Sequence, residues 1–153
     1  MKFSSRERVG LRAMVELARY HGEGPVPLST IAAAQALPLP YLERIAGALR
    51  RSGLITSVRG ARGGYLLARA PARISVGDIF RALEGGLTSL DCLQGEGAGC
   101  DREEVCAARA VWEQVEHKLA QTLDHIALDE LSQRAGRRDI CPNKGDHSVQ
   151  EAS

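Results

Sequence analysis

Aromatic side chains are scarce: one Trp, three Tyr and two Phe in 153 residues. Alanine is abundant instead, which suits helices packed closely rather than a core assembled around large rings. No apolar run reaches the roughly 20 residues needed to cross a bilayer. No charged-then-apolar leader with a small-residue cleavage site opens the chain. A soluble, cytoplasmic protein without a membrane partner is expected, and in that compartment the four cysteines are not expected to form structural disulfides. The chain has no internal repeat. It lacks a nucleophile–base arrangement and a phosphate loop, so an enzyme is not expected.

A strong net charge is also lacking, at +1, but that figure hides a division. Residues 1–70 hold eleven Lys/Arg against four Asp/Glu, while residues 71–153 hold nine against fifteen. A basic first half is what a polyanion-binding surface requires.

The pattern along that half is helical. Val9, Leu11, Met14, Val15, Leu17 and Ala18 recur at helical spacing over Ser4–Tyr20, with Arg6, Glu7, Arg8, Arg12, Glu16 and Arg19 mostly on the other face. Ser29 reads as the N-cap of a short second helix. Leu37-Pro38-Leu39-Pro40 forces a turn, and a third helix runs from Tyr41 to about Ser52 on Leu42, Ile45, Ala46 and Leu49, ending at Gly53. Leu54–Val58, the glycine-rich Arg59–Gly64 and Tyr65–Leu67 then read as strand, turn and strand. Helix-turn-helix followed by a basic hairpin predicts a mainly α fold with a small β-hairpin wing. In that arrangement Pro40, Tyr41, Glu43 and Arg44 open the helix that would enter a major groove. Glu43 and Arg44 are the candidates for base edges; Arg50 and Arg51 at its end are candidates for phosphate contacts, and Arg59 or Arg62 on the wing for phosphates or an adjacent minor groove. Ser75–Asp78 has the form of a capping box and opens a fourth helix toward Gly85-Gly86.

Three of the four cysteines follow within fifteen residues. Cys92, Cys100 and Cys106 are separated by seven and then five residues in a loop with glycines at 95, 97 and 99. Converging thiolates repel unless a cation or an iron–sulfur core neutralises them. Zinc sites bring ligands in closer pairs, and a cluster accepts wider gaps. Structural thiols, a thiol–disulfide switch and zinc remain open beside an iron–sulfur cluster. From about Glu103 a long helix carries Val105, Ala108, Val111/Trp112, Val115, Leu119 and Ile126 as a narrow apolar stripe, read as an interface with a second copy. The expected organisation is a DNA-binding domain at 1–86, a cysteine loop at 87–106, a dimerisation helix and closing segment at 103–132, and a disordered tail at 133–153.

Arg6–Met14 with its Gly10-Leu11-Arg12-Ala13, Tyr41–Ile45, Leu49–Ile55, Val58–Tyr65, Ile74–Ile79 and the cysteine triad together resemble the Rrf2 family of bacterial transcription regulators. The likeness runs from about residue 1 to residue 132. It implies a winged-helix homodimer with a long crossing helix, bound to a pseudo-palindromic duplex as a repressor. It also implies an iron–sulfur cluster, [4Fe–4S] favoured over [2Fe–2S], on Cys92, Cys100 and Cys106, sensing iron, redox state or nitric oxide. Where some members place a histidine as fourth ligand this chain has Arg109, and a guanidinium cannot ligate iron. The resemblance leaves Glu7 of the partner subunit, or a ligand from outside the protein, in that role; Cys141 is a further thiol without an assigned one. A cluster-free regulator using thiol redox chemistry and an iron–sulfur electron-transfer protein are the rival readings.

Overall fold

The computed structural model describes residues 3–85 and 107–136. Its elements are α1 (Ser5–Arg19), α2 (Leu28–Gln35), α3 (Leu39–Arg51), β1 (Ile55–Val58), β2 (Gly64–Leu67), a 3-10 turn (Pro71–Arg73), α4 (Val76–Glu84), α5 (Ala107–Asp124) and α6 (Leu128–Ala135). This is the mainly α, winged helix-turn-helix architecture that the periodicity predicts.

α1 is the hub, packing against α2, α3, α4, α6 and β2. A capping box starts it: Ser4 Oγ accepts from the Glu7 N–H at 3.1 Å, and Glu7 Oε2 accepts from the Ser4 N–H at 2.6 Å. Because neighbours surround the helix, the expected polar face is not uniformly solvated. Ala13 through Ala18 are all buried, and two carboxylates go under with them, Glu7 at 6% and Glu16 at 3% exposed. Glu16 Oε2 is satisfied by the Gln35 amide at 2.9 Å and by Arg19 at 3.2 Å, as a buried charge requires.

The second helix corrects the sequence reading. Ser29 is not its cap; Pro27 occupies that position without a side-chain bond. Its C-terminus is tied by Arg12, which donates to Gln35 Oε1 at 3.1 Å and to the Gln35 carbonyl. The chain then turns through Ala36 at φ 50°, with Leu37 N–H on Ala32 O at 2.9 Å and Ala36 N–H on Ala33 O at 3.4 Å. α3 ends by the same double closure, Leu54 N–H on Leu49 O at 3.0 Å and Gly53 N–H on Arg50 O at 3.1 Å, with Gly53 at φ 77°. It begins at Leu39, two residues before the expected Tyr41, and carries Pro40 in its first turn, where a missing N–H leaves no bond unmade.

β1 and β2 pair antiparallel, Ile55 opposite Leu67 and Val58 opposite Gly64. The Gly-Gly-Tyr run has a separate reason at each residue. Gly63 closes the tip on Gly60 O at 3.0 Å, where a Cβ would lie 2.2 Å from Val58 O. A Cβ on Gly64 would lie 2.4 Å from Val26 backbone atoms. That clearance lets Tyr65 exchange both backbone bonds with Val26, at 3.0 and 2.8 Å, as a bridge absent from the sequence reading.

α4 is capped by the expected box, Ser75 Oγ accepting from Asp78 N–H and Asp78 Oδ2 from Ser75 N–H, both at 3.0 Å. Gly10 of α1 admits Leu83 of α4, since a Cβ there would fall 2.2 Å from Leu83 Cδ1. The closing segment is a two-turn helix, α6, folded back on α1 and anchored by the fully buried Leu128. The core joins Met14, Ile31, Leu42, Ile45, Leu54, Ile74, Ile79 and Leu128 across all these elements.

Candidate nucleic-acid interface

α3 is buried on Leu42, Ile45, Ala46, Ala48 and Leu49. The opposite face is exposed, and Pro40, Arg44, Gly47 and Arg51 follow one another along it at helical spacing, flanked by Glu43 and Arg50. Tyr41 sits at the boundary, half-buried against the core. Arg59 and Arg62 are exposed at the tip of the wing, whose first strand packs against α3. All eight candidate contacts thus lie on two adjacent elements with accessible side chains. Their cations are open to a polyanion: the ion pairs among the described residues lie elsewhere, at Arg19–Glu16, Arg81 with Asp78 and Asp124, and Arg109–Glu113.

Gly47 was passed over by sequence reading. A mid-helix glycine costs roughly 0.5–1 kcal/mol relative to alanine, and here it is half-buried between Arg44 and Arg51, with the Arg51 guanidinium 3.4 Å from where a Cβ would lie. The Arg12–Gln35–Glu16 network was missed as well. It ties the end of α2, and hence the turn into α3, to the hub helix. Its members are 19 and 23 residues apart, beyond any local pattern.

The reading helix, turn and wing now stand together on one scaffold, and comparison with known proteins agrees. A family model described as Rrf2, iron-dependent transcriptional regulator, matches residues 3–134. The chain belongs to the Rrf2 family. It is 39% identical over 132 residues to the HTH-type transcriptional regulator CymR of Bacillus subtilis (strain 168), covering 86% of this chain and 90% of that one. It is 35% identical over 150 residues to the HTH-type transcriptional regulator IscR of Klebsiella pneumoniae (strain 342), covering 98% and 91%. Among solved structures, T. potens IscR superposes with a TM-score of 0.73 at 40% identity, covering 93% of each chain. CymR of B. subtilis, described as its global cysteine regulator, superposes with a TM-score of 0.71 at 38% identity, covering 88% and 98%. As an Rrf2 protein the chain is a DNA-binding transcriptional regulator of the helix-turn-helix type, not an enzyme.

The remaining candidate positions divide. Cys92, Cys100, Cys106 and Val105 lie outside the described residues, as do Cys141 and most of the tail expected to be disordered. Among the described residues no three His, Cys, Asp or Glu side chains converge to hold a metal ion. Glu7 is placed at the start of α1, its Oε2 engaged by the cap. The serine it caps also donates through Oγ to Glu84 Oε1 at 2.6 Å, so the start of α1 touches the end of α4, one residue before Gly85. On α5, Ala108 and Trp112 are exposed and Val115 is half-buried, whereas Leu119, with Ile126 beyond the helix, packs against this chain's own core. No helix among the described residues is long and apolar enough to cross a membrane.

Proposed function

We propose that the chain acts as a homodimeric repressor whose affinity for a pseudo-palindromic operator is controlled by an iron–sulfur cluster held in the loop between α4 and α5. The observation that carries this is one of connectivity. α4 packs on α1 and α3 of the reading head, and the segment with all three clustered cysteines joins it to the helix that leaves Val111 and Trp112 exposed. The donor set fits such a group, since three thiolates suit iron and sulfide. A cluster bound there would neutralise three thiolates at one point in the chain.

Cys92, Cys100 and Cys106 would be its ligands. Glu7 of the partner subunit can add a carboxylate only through Oε1, because Oε2 holds the helix cap. The reading face supplies Glu43 and Arg44 to base edges, with Pro40 and Tyr41 at the groove entry. Arg50, Arg51, Arg59 and Arg62 hold the phosphates. Ala108, Trp112 and Val115 of α5, continued by Val105 and by the edges of Leu119 and Ile126, meet the second copy. Ligation changes operator affinity to the extent that it favours one arrangement of the two heads over another.

A second reading has its own support. CymR, described as a cysteine regulator, is as similar to this chain as IscR is, and one matching structure is of Staphylococcus aureus CymR in an oxidised form. In that reading the same cysteines act as thiols without iron. Anaerobic purification followed by iron, sulfide and absorption measurements separates the two. The first predicts iron and acid-labile sulfide that disappear when the three cysteines become serine, with altered retention of the promoter duplex. Iron-free protein whose retention follows thiol oxidation supports the second. Serine variants with unchanged metal content and unchanged retention contradict both.

A further inference from the structure

α5 meets the body of the molecule at one end. Leu123 is its buried residue and Leu119 is half-buried, while Val111 and Trp112 toward its start stay 55% and 43% exposed. Among the described residues, the contacts that fix the direction of this helix lie at its last turns. There Asp124 lies over the first turns of α4. Its Oδ2 accepts from Arg81 Nη2 at 2.7 Å. Its Oδ1 sits so near Gly77 that a Cβ there would come within 2.0 Å. A carboxylate at this position also meets the positive end of the helix dipole. Two backbone bonds hold the chain that follows, Val76 N–H to Ile126 O at 3.0 Å and Leu128 N–H to Ile74 O at 2.8 Å.

Both side chains of the Arg81–Asp124 pair are 41% exposed, and exposed pairs contribute little to stability. A contact that stabilises little, yet has a glycine opposite it to make room, is better explained by the geometry it sets. We propose that Asp124 and Arg81 are positioning residues that fix the angle of α5 on the reading head, and through it the separation of the two α3 helices in the dimer. The proposal rests on the reading of α5 as the dimerisation helix. α4 transmits the angle, because it packs against both α5 and α3. The lever is long: 18 residues at 1.5 Å each span about 27 Å. A tilt of about ten degrees at the latch displaces the far end by roughly 5 Å, more than the roughly 3.4 Å rise of one base pair.

The test uses the full chain with Asp124→Ala, Gly77→Ala and Arg81→Lys. Each is measured on a promoter duplex carrying both half-sites, on the same duplex with the half-site spacing changed by one base pair, and on a single half-site. Asp124→Ala removes the carboxylate; Gly77→Ala expels it sterically without altering any charge. Both are expected to remain dimeric by mass and to bind the single half-site as wild type does. On the two-site duplex they lose about tenfold in affinity and discriminate less between spacings, whereas Arg81→Lys keeps most of that discrimination. Equal losses on half-site and full site, or no loss on either, overturn the proposal. Wild-type protein that is monomeric would remove the reading of α5 on which it rests, and that result is visible before any variant is compared.

Discussion

α3 and α5 carry similar apolar stripes in the sequence and meet opposite fates. Leu42, Ile45, Ala46 and Leu49 of α3 are each at most 2% exposed, covered by this chain's own elements. Val111 and Trp112 of α5 remain about half open, and burial on that helix begins only at its last turns. The difference teaches that periodicity reports that a face needs covering without saying by what. α3 completes a fold; α5 offers a surface.

That contrast can be broken by truncating each stripe. Ile45→Ala leaves a hole in a closed core and is expected to lower unfolding free energy by about 2–5 kcal/mol, read by denaturant titration. Trp112→Ala should leave the stability of a dilute sample nearly unchanged and shift sedimentation toward the monomer; a large stability loss with unchanged mass would mean that α5 is already covered. Next in size is Gly64→Val. Its side chain has no space beside Val26, so the wing must move off the body, with a loss of about 1–3 kcal/mol and weaker retention of duplex. Arg50→Ala, on the open face of α3, is expected to weaken all sequences alike and to reduce the slope of log affinity against log salt by about 1. A changed sequence preference would place Arg50 on a base instead.

Smaller effects sharpen the same picture. Ala36 adopts a left-handed conformation that glycine adopts freely, so Ala36→Gly should stabilise by about 1 kcal/mol without altering DNA binding. The smallest concerns acid. The hydrogen bond from Arg81 holds the Asp124 carboxyl below its ordinary value of 3.8. A depressed carboxylate stabilises the fold above that value and loses the contribution as pH falls through the folded pKa. For so exposed a pair the contribution is a few tenths of a kcal/mol. Wild type and Asp124→Asn should therefore converge in melting temperature only below about pH 4.

Much of this was legible because it is local. Ser75 and Asp78 announce α4, Gly53 announces the end of α3, and the alternation around Arg59–Gly64 announces the wing. The rest depended on contacts between distant segments. Ala36 ends α2 with the closure that Gly53 gives α3, but an alanine carries no signal for a left-handed residue. Ser29 has a cap's chemistry and lies one residue inside the helix that Pro27 starts. Glu7 and Glu16 look like solvated charges until the hub position of α1 is known. Val26 is a strand of one residue, too short to alternate. Asp124 and Arg81 meet across 43 residues. Within the candidate site, the open face of α3 and the wing arginines were readable from spacing. The residues that hold them in place were not.

The most direct test of the account is the dissociation constant for the chain's own promoter duplex, measured anaerobically with reconstituted protein and again after the iron and sulfide are removed under reducing conditions. The account predicts that the two values differ by at least about tenfold, the size of an allosteric coupling of roughly 1.4 kcal/mol. It also predicts that the protein with serine at 92, 100 and 106 matches the stripped form. Equal affinity in all three samples would contradict it.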